Sequence, residues 1–396
     1  MKFDDFKIDG RIKEAIRLKG YTVPSPIQAD AIPPALEGRD VLGCAQTGTG
    51  KTCAFAVPIL NKLAQYPPML GRTKMRALIL TPTRELAMQI DESFKDYGKL
   101  LPLKSGLIMG GVGQDKQVKE LKAGVDILTA TPGRLLDLAA QGHINPSFIE
   151  VFVLDEADRM LDMGFLPDVK RIIALLPKQR QTLFFSATMP AEVQKLADTL
   201  LINPVKVAVT PVSSTVDRIE QRVCMTDKAA KLDLLVWLMK DSLELTSTLI
   251  FTRTKYGADK LSRKLKQAGI KSMAIHGDKS QGARQTALRE FKKGGCKVLV
   301  ATDIAARGLD IDGISHVINF ELPNEPETYV HRIGRTGRAG RDGIAVSLCD
   351  FDEKPYLADI EKLIKKKIPV FEEQPYPMTV FVKTIKQQKL PRTHKR

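Results

Sequence analysis

The chain has only five cysteines in 396 residues, an odd set (Cys44, Cys53, Cys224, Cys296, Cys349) with no Cys-x-x-Cys pair. That argues against a disulfide framework or a zinc ribbon and makes a reducing cytoplasmic setting the expectation. No stretch approaches the roughly 18 consecutive apolar residues of a membrane span, so no membrane role is expected. The opening MKFDDFKIDG brings acids within the first five positions, unlike a secretory signal. No block recurs at a fixed period, which excludes a solenoid. Histidines are also few, five in all. His276-Gly277-Asp278 has no second His or Cys at ligand spacing, so it is not read as a zinc site. Asp310-Ile311-Asp312-Gly313 lacks the downstream Glu of a calcium loop and reads as a turn.

What is present is apolar mass and positive charge. Apolar residues make up 43% of the chain, enough for large cores, and the length suggests two to three domains. Lys and Arg number 61 against 46 Asp and Glu, a net +15, which points to a polyanionic partner without choosing among polyanions.

Short β-rich apolar runs alternate with helix-period segments, the pattern of a parallel α/β sheet. In the first half strands are expected at 40–45, 76–81, 126–129, 151–154 and 182–185, with a helix near 191–201. Turn residues at 210–215 suggest a linker at 209–217. The pattern then restarts, with strands expected at 247–251, 272–275, 297–301, 316–320 and 344–348 and a closing helix near 356–367. The last 14 residues hold six Lys or Arg and no acid, a basic tail.

Residues 45–52 read Ala-Gln-Thr-Gly-Thr-Gly-Lys-Thr between an apolar strand and a helix. Glycines allow successive N–H groups to turn inward around phosphate oxygens at a helix start. Lys51 would reach the β- and γ-phosphates and the Thr52 hydroxyl would ligate Mg²⁺. Ala45 departs from the general pattern, which opens with Gly. A second apolar run, 151–154, ends in Asp155-Glu156-Ala157-Asp158. Alone it reads as a solvated loop. With a phosphate loop upstream it supplies the other half of one site, Asp155 holding Mg²⁺ through water and Glu156 taking the proton of the attacking water.

These residues resemble the signature of the DEAD-box ATP-dependent RNA helicases, and the remaining motifs of that family follow in order over about residues 1–350. The likeness implies an α/β fold of two tandem RecA-like domains, each a mostly parallel sheet flanked by helices. Their expected limits are 1–208 and 218–370, with the basic tail at 371–396. By resemblance, Gln28 reads adenine and Phe3 stacks on it, while Ala45, Gln46, Thr47, Gly48, Thr49, Gly50, Lys51 and Thr52 cradle ATP and Asp310 meets its ribose. Pro82, Thr83, Arg84, Gly110, Gly111, Thr131, Pro132, Gly133 and Arg134 resemble the RNA-contacting motifs of the first domain. Arg253, Gln281, Arg284, Thr302 and Arg307 resemble those of the second. Ser186 and Thr188 are expected to couple the nucleotide site to RNA through Asp158. Arg335 and Arg338 resemble the arginine-finger motif, and His331 and Arg332 would tie that motif to the acidic one.

The implied activity is RNA-stimulated ATP hydrolysis with ATP and Mg²⁺ as cofactors. It is coupled to domain closure, strand bending and local duplex unwinding or remodelling of RNA–protein complexes. The expected partner is structured or duplex RNA, gripped by its sugar–phosphate backbone. Within the family the chain looks most like the bacterial RhlE-type subgroup, which suggests ribosomal or RNA-decay protein partners; a monomer is favoured. An RNA clamp, a DNA-directed helicase and a small-molecule P-loop kinase are the rival readings.

Overall fold

The computed structural model describes residues 1–46, 48–65, 74–208, 219–242, 246–306, 314–337 and 343–381. It divides into two compact units, one holding the described residues through Ala208 and the other those from Ile219 onward. The linker expected at 209–217 and most of the basic tail lie outside the described residues.

In the first unit the strands are β1 (Val41–Cys44), β2 (Ala77–Leu80), β3 (Ser105–Ile108), β4 (Ile127–Ala130), β5 (Val151–Leu154), β6 (Gln181–Ser186) and β7 (Val205–Ala208). All pair in parallel, in the order β3-β4-β2-β5-β6-β1-β7. The apolar runs are continuous because the sheet is covered on both faces. Val151 and Val153 join one core with Ile79 and Phe185, while Phe152 and Leu154 join the other with Leu80 and Phe184.

The second unit repeats the arrangement with β8 (Ile219–Met225), β9 (Thr248–Phe251), β10 (Ser272–Ile275), β11 (Val298–Ala301), β12 (His316–Asn319) and β13 (Gly343–Cys349). Its order is β10-β11-β9-β12-β13-β8, again all parallel. Helices Ala191–Leu200 and Lys354–Ile364 stand close to the two expected from periodicity.

Three strands escape the sequence reading: β3, β7 and β8. Each is a sheet edge. An edge strand has a neighbour on one side only and partly solvated side chains, so it lacks an uninterrupted apolar run; Val205–Ala208 (VKVA) and Ile219–Met225 (IEQRVCM) both alternate with polar residues.

The second unit also buries charge. Lys231 is 2% exposed and pairs with Glu353 and, at 3.1 Å, with Asp350, while Arg253 pairs with the other oxygen of Glu353. Lys231→Met would leave two buried carboxylates short of a cation. Removing one partner of a buried pair costs about 3–5 kcal/mol, so a clear fall in the denaturation midpoint is expected; an unchanged midpoint would refute the bridging role of Lys231.

Candidate ATP and RNA site

In the first unit every proposed motif except the one holding Phe3 and Gln28 sits at the carboxyl end of a strand, where parallel sheets bind ligands. The strand order splits these ends into two groups. Those of β5, β6 and β1 are neighbours and carry Asp155–Asp158, Ser186–Thr188 and the loop at 45–50. Those of β3, β4 and β2 carry Gly110-Gly111, Thr131–Arg134 and Pro82–Arg84.

The phosphate loop follows β1 and ends where helix Lys51–Gln65 begins. Gly48 and Gly50 have φ of +85° and +92°, a region that L side chains rarely adopt. A Cβ on Gly50 would also lie 2.3 Å from Gln28 Nε2, so this position has no room for a side chain. Ala45 is buried and its N–H donates to the Ser186 carbonyl at 3.0 Å. Lys51 is 6% exposed and donates from Nζ to the Ala45 carbonyl at 2.6 Å, folding back over the loop. Thr49 donates to the Gln46 carbonyl at 2.8 Å, and Thr52 is half-buried in the first helical turn. Thr47 lies outside the described residues.

Gln28 is held by the loop rather than left open. Its carbonyl oxygen accepts from the Ser25 N–H at 2.8 Å, and its Nε2 donates to the Gly50 carbonyl at 3.1 Å. Ser25 Oγ donates to the Thr49 carbonyl at 2.7 Å. The segment expected to read adenine therefore also braces the phosphate loop. Phe3, expected to stack on the base, is 4% exposed and packs edge-to-face on Phe6 at 5.8 Å, which gives its ring to the core.

Asp155 and Glu156 are each 2% exposed. Glu156 adopts φ 55°, ψ 51°, a left-handed conformation rare outside glycine and costing of order 1–3 kcal/mol. Strain of this kind, in a residue between a core strand and a helix, fits a functional constraint. Burial pushes the Asp155 carboxyl up to about 7, with the Lys51 cation opposing and the Glu156 charge adding to the rise. A divalent cation would favour the ionised form, so this carboxyl fits a metal site. The Glu156 carboxylate pairs with Arg159, whose side chain is 7% exposed. Asp158 Oδ2 accepts from the N–H and the hydroxyl of Thr188, both at 2.9 Å. Ser186 Oγ accepts from the Asp158 N–H at 3.2 Å and donates to the Thr188 carbonyl at 2.7 Å. The three coupling residues of the first unit are thus in direct contact.

On the other half of the edge, Thr83 caps helix Arg84–Tyr97 by accepting from the Leu86 N–H at 3.3 Å, and Pro82 before it is buried. Thr131 occupies the N-cap position of helix Pro132–Ala140 without a side-chain capping bond, with Pro132 in the first turn and open space beside Gly133. Arg84 lies against Gly110 and Gly111, and Arg134 donates to the Val112 carbonyl at 3.2 Å. Two arginines from two motifs therefore meet one glycine loop. Arg134 Nη1 is buried without an acceptor among the described residues, a donor suited to an anion. Gln117, which the sequence reading missed, pins this loop through the N–H of Met109 at 2.8 Å and the Gly113 carbonyl at 3.1 Å. No motif marks it. Arg159 was missed as well, although its i,i+3 spacing from Glu156 on a helix start was legible.

Gly111 has φ +75°, and a Cβ there would stand 2.0 Å from Arg84 Nη1. Gly111→Ala is expected to displace Arg84 and raise the RNA concentration for half-maximal ATPase stimulation by about tenfold, roughly 1.4 kcal/mol. Nucleotide affinity should not move. An unchanged RNA titration would remove Arg84 and Gly111 from the interface.

In the second unit Arg253 follows β9, Gln281 and Arg284 open helix Gln281–Lys292 after β10, and Thr302 follows β11; the last three are buried. Arg253, expected at RNA, is engaged inside its own unit. Its side chain pairs with Glu353 and donates from Nε to the Leu322 carbonyl at 2.8 Å. Arg332, expected to tie its motif to the acidic one, is engaged there too. It is 1% exposed, forks onto Asp303 at 2.6 and 2.9 Å, and donates to Asn319 Oδ1 at 3.1 Å and to the Glu321 carbonyl at 2.6 Å. Its donors are spent inside its own unit, so it organises the helix that presents His331 and Arg335. Arg335 lies in the turn after that helix and donates from Nε to the His331 carbonyl at 3.4 Å. Arg307, Asp310 and Arg338 lie outside the described residues.

A phosphate loop after an interior strand, an acidic pair at the end of the next strand but one, and two all-parallel sheets define a P-loop nucleoside triphosphatase with tandem RecA-like units. Residues 25–196 match the DEAD/DEAH box helicase model and residues 227–340 the helicase conserved C-terminal domain model. The chain is 42% identical over 388 residues to the DEAD-box ATP-dependent RNA helicase RhpA of Helicobacter pylori, covering 98% of this chain and 77% of that protein. It is 42% identical over 372 residues to the DEAD-box ATP-dependent RNA helicase CshA of Bacillus subtilis, covering 94% and 74%. Among solved structures, S. cerevisiae Dbp5 bound to RNA and ADP BeF3 superposes with a TM-score of 0.82 at 33% identity, covering 93% of this chain and 95% of that one. The chain belongs to the DEAD-box family of ATP-dependent RNA helicases, which are RNA-dependent ATPases.

Proposed function

We propose that the loop at Ala45–Thr52 and the acidic pair Asp155-Glu156 form the ATP-hydrolysing site, and that the β3-β4-β2 half of the same edge grips RNA. The observation that carries this is the burial of Lys51, in the first turn of the helix after β1, together with Asp155 and Glu156 at the end of β5, with Lys51 close enough to act on the Asp155 charge. Lys51 leaves the Ala45 carbonyl for the β- and γ-phosphates. The Thr52 hydroxyl and Asp155 would hold Mg²⁺, which would neutralise phosphate charge when bound. Glu156 accepts the proton of the water that attacks the γ-phosphate, and ADP departs. Thr188 and Ser186 on Asp158 link the acidic strand to β6, and β5 also pairs with β2, so a shift at the nucleotide passes through β5 to the RNA half of the edge. Arg335 and Arg338 complete the phosphate environment when RNA is bound, which makes hydrolysis conditional on RNA. Arg84, Gly111 and Arg134 hold sugar–phosphate backbone without reading bases. The setting is the cytoplasm.

The test is phosphate release with and without RNA, repeated with DNA of the same sequence, beside unwinding of a short RNA duplex. Strong stimulation by RNA and weak stimulation by DNA are expected. Equal stimulation by both would overturn the RNA assignment.

A further inference from the structure

The net charge of +15 is concentrated in two segments. Residues 383–396 carry six basic residues and no acid, and residues 255–297 carry twelve against three acids. All the other residues together balance to zero. The second of these segments folds as helix Lys255–Gln267, edge strand β10, helix Gln281–Lys292 and the start of β11. The chain runs outward from β9 to β10 and back to β11, so right-handed crossovers place the two helices on opposite faces of the sheet edge.

Within it the cations are not spread evenly. The motif residues Gln281, Arg284 and Thr302 stand at the carboxyl ends of β10 and β11. At the opposite, amino end of the same strands stand Lys264 and Lys266, from the last turn of the first helix, with Arg263 one turn in and Lys271 directly before β10. Arg289, Lys293 and Lys297 join them from the last turn of the second helix and the approach to β11. All seven are exposed, and none makes an ion pair among the described residues. Asp259, the acid of the first helix, is turned to Lys279 and His276. Asp278 is at the motif end with Lys255. That leaves Glu290 as the one carboxylate of this segment at the amino end.

Helix dipoles explain part of this, since cations stabilise the last turn of a helix. They do not explain Lys271 and Lys297, which precede strands. Chemistry separates the remaining partners. Protein interfaces are depleted in Lys and centred on buried aromatic or apolar anchors, whereas the exposed large apolar side chain of this segment is Tyr256, in the first turn of its helix at the motif end. A membrane-surface helix needs an apolar face, but Ala258, Leu261, Leu265, Ala287 and Phe291 are buried. Lysine-rich, anchor-free, uncompensated charge fits a phosphodiester backbone.

We propose that the amino end of β10 and β11 is a second RNA-binding pole, which holds the backbone of duplex flanking the strand in the motif site. It lies one strand length, about 13 Å at ~3.3 Å per residue, from the motif residues of its own unit, so only an RNA extending past the motif site reaches both. This rests on the RNA helicase reading above.

The test uses the full chain with Arg263, Lys264, Lys266, Lys271, Lys293 and Lys297 all replaced by Gln, and a second variant with only Lys271, Lys293 and Lys297 replaced. Affinity is measured against salt for a single strand of roughly ten nucleotides and for the same strand joined to a duplex of roughly 16 base pairs. Turnover at saturating single strand should match the parent, which also shows that the variants fold. Expected is at least about a tenfold loss of affinity for the duplex-flanked RNA at low salt. The slope of log affinity against log salt should shrink by about 3–4, as for roughly four phosphates at 0.9 each. The triple variant should show about half of each effect. Unchanged affinity and slope would overturn the proposal, as would equal losses on both RNAs. So would unchanged RNA binding with lost binding to anionic vesicles or to an acidic protein. If the parent itself shows no RNA-stimulated turnover, the helicase reading fails instead.

Discussion

Glu156→Gln is expected to lower RNA-stimulated ATP turnover by roughly 10²–10⁴-fold, the contribution of a positioned general base, while ATP and RNA still bind. The amide matches the carboxylate in size and can still accept from Arg159, so the buried strand end keeps its packing. What it cannot do is take a proton from water. The left-handed backbone at 156 should survive, since Gln and Glu share the same backbone preferences. The RNA complex should therefore persist with ATP bound, because the step that releases it is blocked. Single-turnover phosphate release and nucleotide binding, measured together, separate the two effects. Turnover within a few-fold of the parent would remove Glu156 from the base role.

Arg335→Ala is expected to slow RNA-stimulated turnover by about 10³-fold or more, within the range of arginines that neutralise charge on a transferring phosphoryl group, with nucleotide affinity changed only a few-fold. The neighbouring arginine supplies the control. Arg332 is committed to Asp303, Asn319 and Glu321, so Arg332→Ala should act first on stability, leaving a half-buried carboxylate and a buried amide without their donor. The two variants should thus separate on a melting curve: Arg332→Ala falls clearly, while Arg335→Ala falls less and loses more turnover. If Arg335→Ala hydrolyses ATP at the parental rate, the finger role is wrong.

The two arginines illustrate how far sequence reading goes. The arginine-finger resemblance marked the segment 331–338, but which arginine faces a ligand and which is structural depends on where Asp303 and Asn319 arrive, and both lie in other elements. Arg253 is a similar case: its position after β9 was legible, its pairing with Glu353 was not. Gln28 was legible as a polar residue near the nucleotide. Its two bonds to the Ser25 and Gly50 backbone emerge only when helix Pro26–Leu36 packs on the helix that follows the phosphate loop.

By itself the sequence determined the chemistry of the site and the layered α/β architecture. Residues adjacent in the chain form the phosphate loop and the acidic pair, and buried central strands announce themselves as apolar runs. Edge strands β3, β7 and β8, solvated on one side, left no such signature. Only the tertiary structure decided which strand ends are neighbours, and therefore that β5, β6 and β1 gather the nucleotide residues while β3, β4 and β2 gather Arg84, Gly111 and Arg134. It also turned a count of charges into a place. The basic excess of 255–297 is visible in the sequence, but the helices run antiparallel to their strands, so the helix ends and the approaches to β10 and β11 bring seven of those cations to the end opposite the motifs. Contacts between residues far apart in the chain follow from strand order, and strand order is a property of the packed sheet.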